Sequence, residues 1–81
     1  MKTTTISAAL TPMTAEDVYE YALARGERAP ELEDIIIDSA DSLAAMEYAR
    51  DIVEGRWPEA EGTIRRDRGV WADYTDMLNQ L

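Results

Sequence analysis

Glu47-Tyr48-Ala49-Arg50-Asp51-Ile52-Val53-Glu54-Gly55-Arg56-Trp57-Pro58-Glu59-Ala60-Glu61 is the stretch on which the fold turns. Tyrosine-alanine lies near the end of one helix, Gly55 offers a left-handed stop, and Pro58 opens another helix where a missing amide proton is harmless. The same order occurs upstream, where Glu20-Tyr21-Ala22 is followed by Gly26, then Pro30-Glu31-Leu32-Glu33 and Ile36. A third copy opens with Asp73-Tyr74-Thr75 near the C-terminal end. The first two copies are offset by 27 residues at the tyrosine and 28 at the proline, a difference of one inserted loop residue. Each unit reads as a longer helix, a glycine stop, a proline start and a shorter helix. One such pair cannot bury its apolar face alone, so neighbouring units must stack.

Outward from that stretch, the helix signals fill in on both sides. Thr14 with Asp17 forms an approximate capping box, and Met13 with Val18 occupies the positions of a hydrophobic staple. The first helix then runs to about Arg25 and stops at Gly26. A second opens at Pro30 with the apolar stripe Leu32, Ile35 and Ile36. Ser39 or Asp41 caps a third, which runs to Glu54 and stops at Gly55, with Leu43, Met46, Ala49, Ile52 and Val53 as its buried stripe. Pro58 opens a fourth, holding Ala60 and Ile64. Asp67 caps a fifth with the stripe Val70, Trp71, Tyr74, Met77, Leu78 and Leu81, its start weakened slightly by Gly69. Tyr21, Tyr48 and Tyr74 should fill equivalent core slots, with Trp57 in the seam between units. The expectation is an all-α fold, a small helical bundle of about five short helices built from two helix-hairpin repeats plus a final helix. Residues 14–81 form one helical-repeat domain, and residues 1–13 a flexible N-terminal segment.

Size and composition narrow the chemistry. Eighty-one residues leave room for one domain with a thin stability margin. Cysteine and histidine are both absent, which removes disulfides and the ordinary transition-metal ligands together. No stretch is apolar enough to span a bilayer, and Met1-Lys2-Thr3-Thr4-Thr5-Ile6 does not make a signal-peptide core, so a cytoplasmic location is expected. The formal charge is −9 and the isoelectric point near 4.2. Residues 31–54 hold most of that excess, with eight acids against Arg50 alone. A field of this sign repels nucleic acid and anionic membrane and attracts basic protein surfaces.

Catalytic groups are sparse. The single lysine is Lys2, no glycine-rich phosphate loop occurs, and common nucleophiles and general bases are missing, so the chain is not expected to be an enzyme. Glu31 with Asp34 and Asp51 with Glu54 fall at helical i, i+3 spacing. Facing pairs of that kind hold magnesium in all-helical nucleotide pyrophosphohydrolases, a remote alternative. A wetted helix face, with Glu31 and Asp34 meeting a helix dipole, explains the same residues. Asp38-Ser39-Ala40-Asp41-Ser42 lacks the glycine and distal glutamate of a calcium loop. No metal and no cofactor are expected. Arg65, Arg66 and Arg68 read as neutralising the C-terminal end of the fourth helix rather than binding nucleic acid.

The run Glu47 to Glu61 resembles a short helical repeat found in tandem in many bacteriophage and prophage proteins, whose copies read as tyrosine-alanine, a few residues, then glycine-arginine-tryptophan-proline-glutamate-alanine-glutamate. The match covers residues 40–66 well and residues 17–38 more loosely, where Ala29 replaces Trp57. It implies origin and architecture and carries no catalytic residues. Among phage products the chain looks most like anti-CRISPR proteins, short stoichiometric binders of which several resemble DNA in charge. That resemblance implies a non-enzymatic inhibitor that binds a basic surface of a host nucleoprotein complex, a CRISPR effector above all, and excludes nucleic acid from it. Helical turns advance ~5.4 Å and strand phosphates ~3.4 Å, so acids on adjacent helices approximate a phosphate track. The residues expected to engage the partner are Glu31, Glu33, Asp34, Asp38, Asp41, Glu47, Asp51 and Glu54. No direct contact with nucleic acid or membrane is expected, and the unfinished last unit leaves a homodimer open. The alternative is a structural or adaptor repeat that binds protein through an apolar face.

Overall fold

Three side-chain oxygens set the starts of the long helices in the computed structural model, which describes residues 13–81. Thr14, Asp41 and Asp67 each lie seven residues before a tyrosine. Each accepts the backbone N–H three residues on, from Asp17 at 3.1 Å, Ala44 at 3.0 Å and Val70 at 3.1 Å. Every such bond satisfies one of the amide donors that a first helical turn leaves without a partner. At Thr14 the capping box closes, because the Asp17 carboxylate accepts the Thr14 amide in return at 3.0 Å.

In chain order the helices are α1 (Ala15–Arg25), α2 (Glu33–Ile37), α3 (Ser42–Tyr48), α4 (Glu61–Ile64) and α5 (Arg68–Asn79). The two short helices are entered through 3-10 turns, Pro30–Leu32 and Pro58–Ala60, each begun by its proline. The long helices lie side by side with α3 in the middle, while α2 packs on α1 and α3, and α4 on α3 and α5. This is the all-α bundle of two helical hairpins and a last helix that the repeat demands. Among the described residues no helix is long and apolar enough to cross a membrane.

Alanine dominates where the helices meet. Ala15, Ala22, Ala44, Ala45 and Ala49 are all buried, and such small side chains let helix axes approach closely. The remaining volume is filled by a few large groups, Trp57, Tyr48, Tyr74, Ile36, Ile64 and Val18, all fully enclosed. The Trp57 and Tyr48 rings pack at 4.8 Å between centroids, which puts Trp57 in the seam between units as its spacing predicts.

Several local expectations change. Counted back from each proline, Gly26 is matched by Glu54 and not by Gly55. Both take the left-handed conformation, with φ of 78° and 62°. The inserted residue is therefore not in the loop. It is absorbed as a π turn over Ala49–Val53 that continues α3, with the amides of Glu54 and Gly55 both bonding the Ala49 carbonyl at 2.8 and 3.2 Å. Leu43, assigned to the buried stripe, is 51% exposed, because α3 turns Ala44, Ala45 and Tyr48 inward instead. Tyr21, assigned to the core with Tyr48 and Tyr74, is 43% exposed. The expected flexible segment, residues 1–13, lies outside the described residues apart from an exposed Met13.

Candidate interaction surface and the carboxylates that build it

Two buried carboxylates join the repeat units, and both are built the same way. Arg28 grips Glu33 with Nε at 2.8 Å and Nη2 at 2.9 Å. The Tyr48 hydroxyl of the next unit donates to Glu33 at 2.8 Å and accepts the Ala29 amide at 2.8 Å. One unit later, Arg56 donates to Glu61 at 2.9 and 3.4 Å. Tyr74 donates to Glu61 at 2.9 Å and accepts the Trp57 amide at 2.8 Å. Arginine, a variable residue, proline, glutamate, a variable residue and glutamate thus form a hook that receives a tyrosine hydroxyl. The proline has no N–H to give, so the amide just before it becomes the donor, and the 3-10 turn brings the second glutamate round to the same point. Among the described residues every buried side-chain oxygen and nitrogen has a partner.

The electrostatics follow from these contacts. The Arg28 guanidinium, aided by the Tyr48 hydroxyl against the opposing effect of burial, holds the Glu33 carboxyl below the ordinary glutamate range. Arg56 and then Tyr74 do the same to Glu61. Burial first, and the neighbouring Glu33 next among the causes that raise it, push the Tyr48 phenol up to about 12. A third carboxylate, Asp51, is held by Arg50 at 2.7 and 2.9 Å and by the Tyr19 hydroxyl at 2.6 Å, which ties α1 to the π turn. Its carboxyl is likewise lowered, by Arg50 above all.

The eight acids singled out by sequence therefore divide. Glu33, 8% exposed, and Asp51, half-buried, are turned to internal partners. Asp41 is exposed and caps α3 through one oxygen. Glu31 is exposed and meets Arg25 at 3.2 Å, which also reaches Glu27 at 2.9 Å. Asp34, Asp38 and Glu54 are exposed and Glu47 is half-buried, and none of the four forms an ion pair among the described residues. Glu31, Asp34 and Asp38 recur at intervals of three and four along the Pro30–Ile37 helical run, which sets them on one strip. Glu47 lies near the Tyr19 hydroxyl, beside Asp51, on the α1–α3 seam. The carboxylate pairs that would hold magnesium are thus separated in role, since Glu31 meets Arg25 and Asp51 is gripped by Arg50. No group of three or more metal-ligating side chains assembles among the described residues.

Tyr19, which the sequence reading leaves unassigned, is the Asp51 partner. Trp71, placed in the stripe of the last helix, is half-buried and lies under the Arg65 guanidinium at 4.6 Å and beside the Tyr74 ring at 5.3 Å. Arg65, Arg66 and Arg68, read from sequence as neutralising the C-terminal end of the fourth helix, form no ion pair among the described residues. The hook itself was visible as repeated Arg-x-Pro-Glu-x-Glu, Arg28 to Glu33 and Arg56 to Glu61, a charge pair at constant separation that composition alone does not isolate. The chain matches no family model, no curated protein and no solved structure with which it was compared.

Proposed function

We propose that the chain is a non-enzymatic, anti-CRISPR-like inhibitor that lays an acidic helical face on a basic, nucleic-acid-binding surface of a host defence complex. One observation carries the reading. Arg50 inside the acidic window and its nearest neighbours outside it, Arg28 and Arg56, are bonded to Asp51, Glu33 and Glu61 in turn. They are not free to swing out and neutralise the exposed acids. Among the described residues Asp34, Asp38, Asp41, Glu47 and Glu54 form no ion pair, and Glu31 shares one arginine with Glu27. Carboxylates fixed on packed helices present a persistent negative field, which both steers and positions a positive partner. The resemblance of residues 40–66 to a tandem repeat of phage proteins supplies the setting, a protein made in the host cytoplasm against a host machine.

The test is displacement of labelled duplex DNA from a CRISPR effector complex. Asp34→Lys, Asp38→Lys and Glu47→Lys together should leave the far-ultraviolet helical signal intact and abolish displacement. Full displacement by that triple variant would overturn the reading. A structural or adaptor role is the second reading, favoured by the half-exposed apolar face of α5, which carries Val70, Trp71, Met77 and Leu78. Substitutions there would abolish binding under that reading and leave it intact under the first.

A further inference from the structure

Leu43, like the exposed Leu81, stands where the apolar periodicity does not place it. It stands half out of the molecule at the start of α3, and it lines an open groove of about 580 Å³ between that helix start and the turn leading into α5. Ala40, Asp41, Ser42, Arg66, Asp67 and Val70 complete the lining. Asp41 and Asp67 are the caps of α3 and α5. Each binds the amide of its own helix through Oδ1, at 3.0 and 3.1 Å, and makes no bond through Oδ2 among the described residues. Capping fixes these carboxylates in place, so no side-chain entropy is lost when a cation meets the free oxygen.

We propose that this groove anchors the basic partner by taking one arginine side chain, its aliphatic stem across Leu43 and Val70 and its guanidinium at Asp41 and Asp67. Charge complementarity selects that occupant. Among the lining side chains two carboxylates against the single guanidinium of Arg66 leave a charge of −1, the complement of one cationic head. The apolar lining matches the methylene stem of a long basic side chain, which buries carbon while its charge stays at the polar rim. Asp38, three residues before Asp41, continues the Glu31–Asp34 strip towards the groove. A surface read only through charge gains at this point an apolar anchor of the kind that dominates interface energetics. The inference rests on the proposed recognition of basic surfaces and locates its anchor.

The probe is an acetylated tetra-arginine peptide titrated into isotopically labelled protein at low salt, followed by amide shifts. The largest shifts should fall on Ser42, Leu43, Arg66 and Val70. Leu43→Ser should weaken the affinity about fivefold, as loss of a stem contact of about 1 kcal/mol implies, without altering the helical signal. Arg66→Glu should strengthen it by a similar factor. Shifts confined to the Glu31–Asp34–Asp38 strip, with Leu43→Ser binding as the parent does, would overturn the anchor and spare the broader reading. No binding of the peptide anywhere would sink both.

Discussion

Tyr48→Phe removes one oxygen atom and, with it, the junction between the first two units. The ring keeps its packing on Trp57, so the change isolates the two hydrogen bonds of 2.8 Å, one given to Glu33 and one taken from the Ala29 amide. Ala29 is fully buried between helices, and its N–H donates to the Tyr48 hydroxyl. An orphaned buried donor costs about 1–3 kcal/mol, and a hydrogen bond to a charged group contributes about 1.5–3 kcal/mol. The two overlap in one oxygen, and Glu33 keeps Arg28, so the combined loss is about 2–4 kcal/mol. A domain of this length is stable by only about 4–12 kcal/mol, so the junction is a large fraction of the whole. At about 4–8 °C per kcal/mol the midpoint of thermal unfolding should fall by about 8–32 °C. Tyr21→Phe is the control, since its exposed hydroxyl only accepts from Arg25 at 3.1 Å, and it should change stability by less than about 0.5 kcal/mol. Urea unfolding followed by circular dichroism and by tryptophan fluorescence measures both. If Tyr48→Phe were as stable as the parent, or if Tyr21→Phe cost as much, the hook would not be what joins the units.

Stability should fall at both ends of the pH scale. Glu33, Glu61 and Asp51 titrate lower in the fold than their ordinary values near 4.5 and 3.8, so their contribution is complete above those values and is lost as pH falls below them. Tyr48 is raised, so its contribution is complete below pH 10 and is lost as pH rises towards about 12. Urea midpoints across pH should be flat near neutrality, and Glu33→Gln should lower the neutral plateau and weaken the acid arm. A midpoint that rose between pH 5 and 3 would contradict the assignment. Glu54→Gly should stabilise by about 1 kcal/mol, since a left-handed backbone penalises a side chain by about 1–2 kcal/mol and glycine recovers most of it. Gly55→Ala, whose φ is not positive and whose added carbon meets only Leu81 at 3.8 Å, should be nearly neutral by the same assay.

The helix count, the caps and the stacking were legible because each rests on a local signal. Thr14, Asp41 and Asp67 stand three residues ahead of the amides they accept, and the two prolines open their turns wherever the chain goes next. What escaped depends on the partner across the seam. Leu43 and Tyr48 both fit an apolar stripe on paper. Tyr48 is drawn inward by a carboxylate fifteen residues away, and α3 rotates to suit it at the expense of Leu43. Tyr21 has the same register and no hook ahead of it among the described residues. Asp17 stands on α1 where α3 has Ala44 and α5 has Val70, and its carboxylate closes the capping box with Thr14. Gly55 looked like the stop because glycine is the usual left-handed residue, whereas the inserted position moved that conformation onto Glu54. The acidic window was plain in the composition, but which of its carboxylates face outward was not. Glu33 and Asp51 differ from Asp34 and Asp38 only in having an arginine and a tyrosine brought to them by the fold.

The most direct test of a surface recognised through uncompensated carboxylates is the salt dependence of affinity for a CRISPR effector, measured by titration in the absence of nucleic acid. Screening shortens the reach of exposed charges to about 10 Å at 0.1 M salt. Raising salt from about 50 to about 200 mM should weaken binding by at least about tenfold, and the Asp34, Asp38 and Glu47 charge-reversed variant should not bind at either concentration. Affinity unchanged across that range, or retained by the variant, would contradict the account.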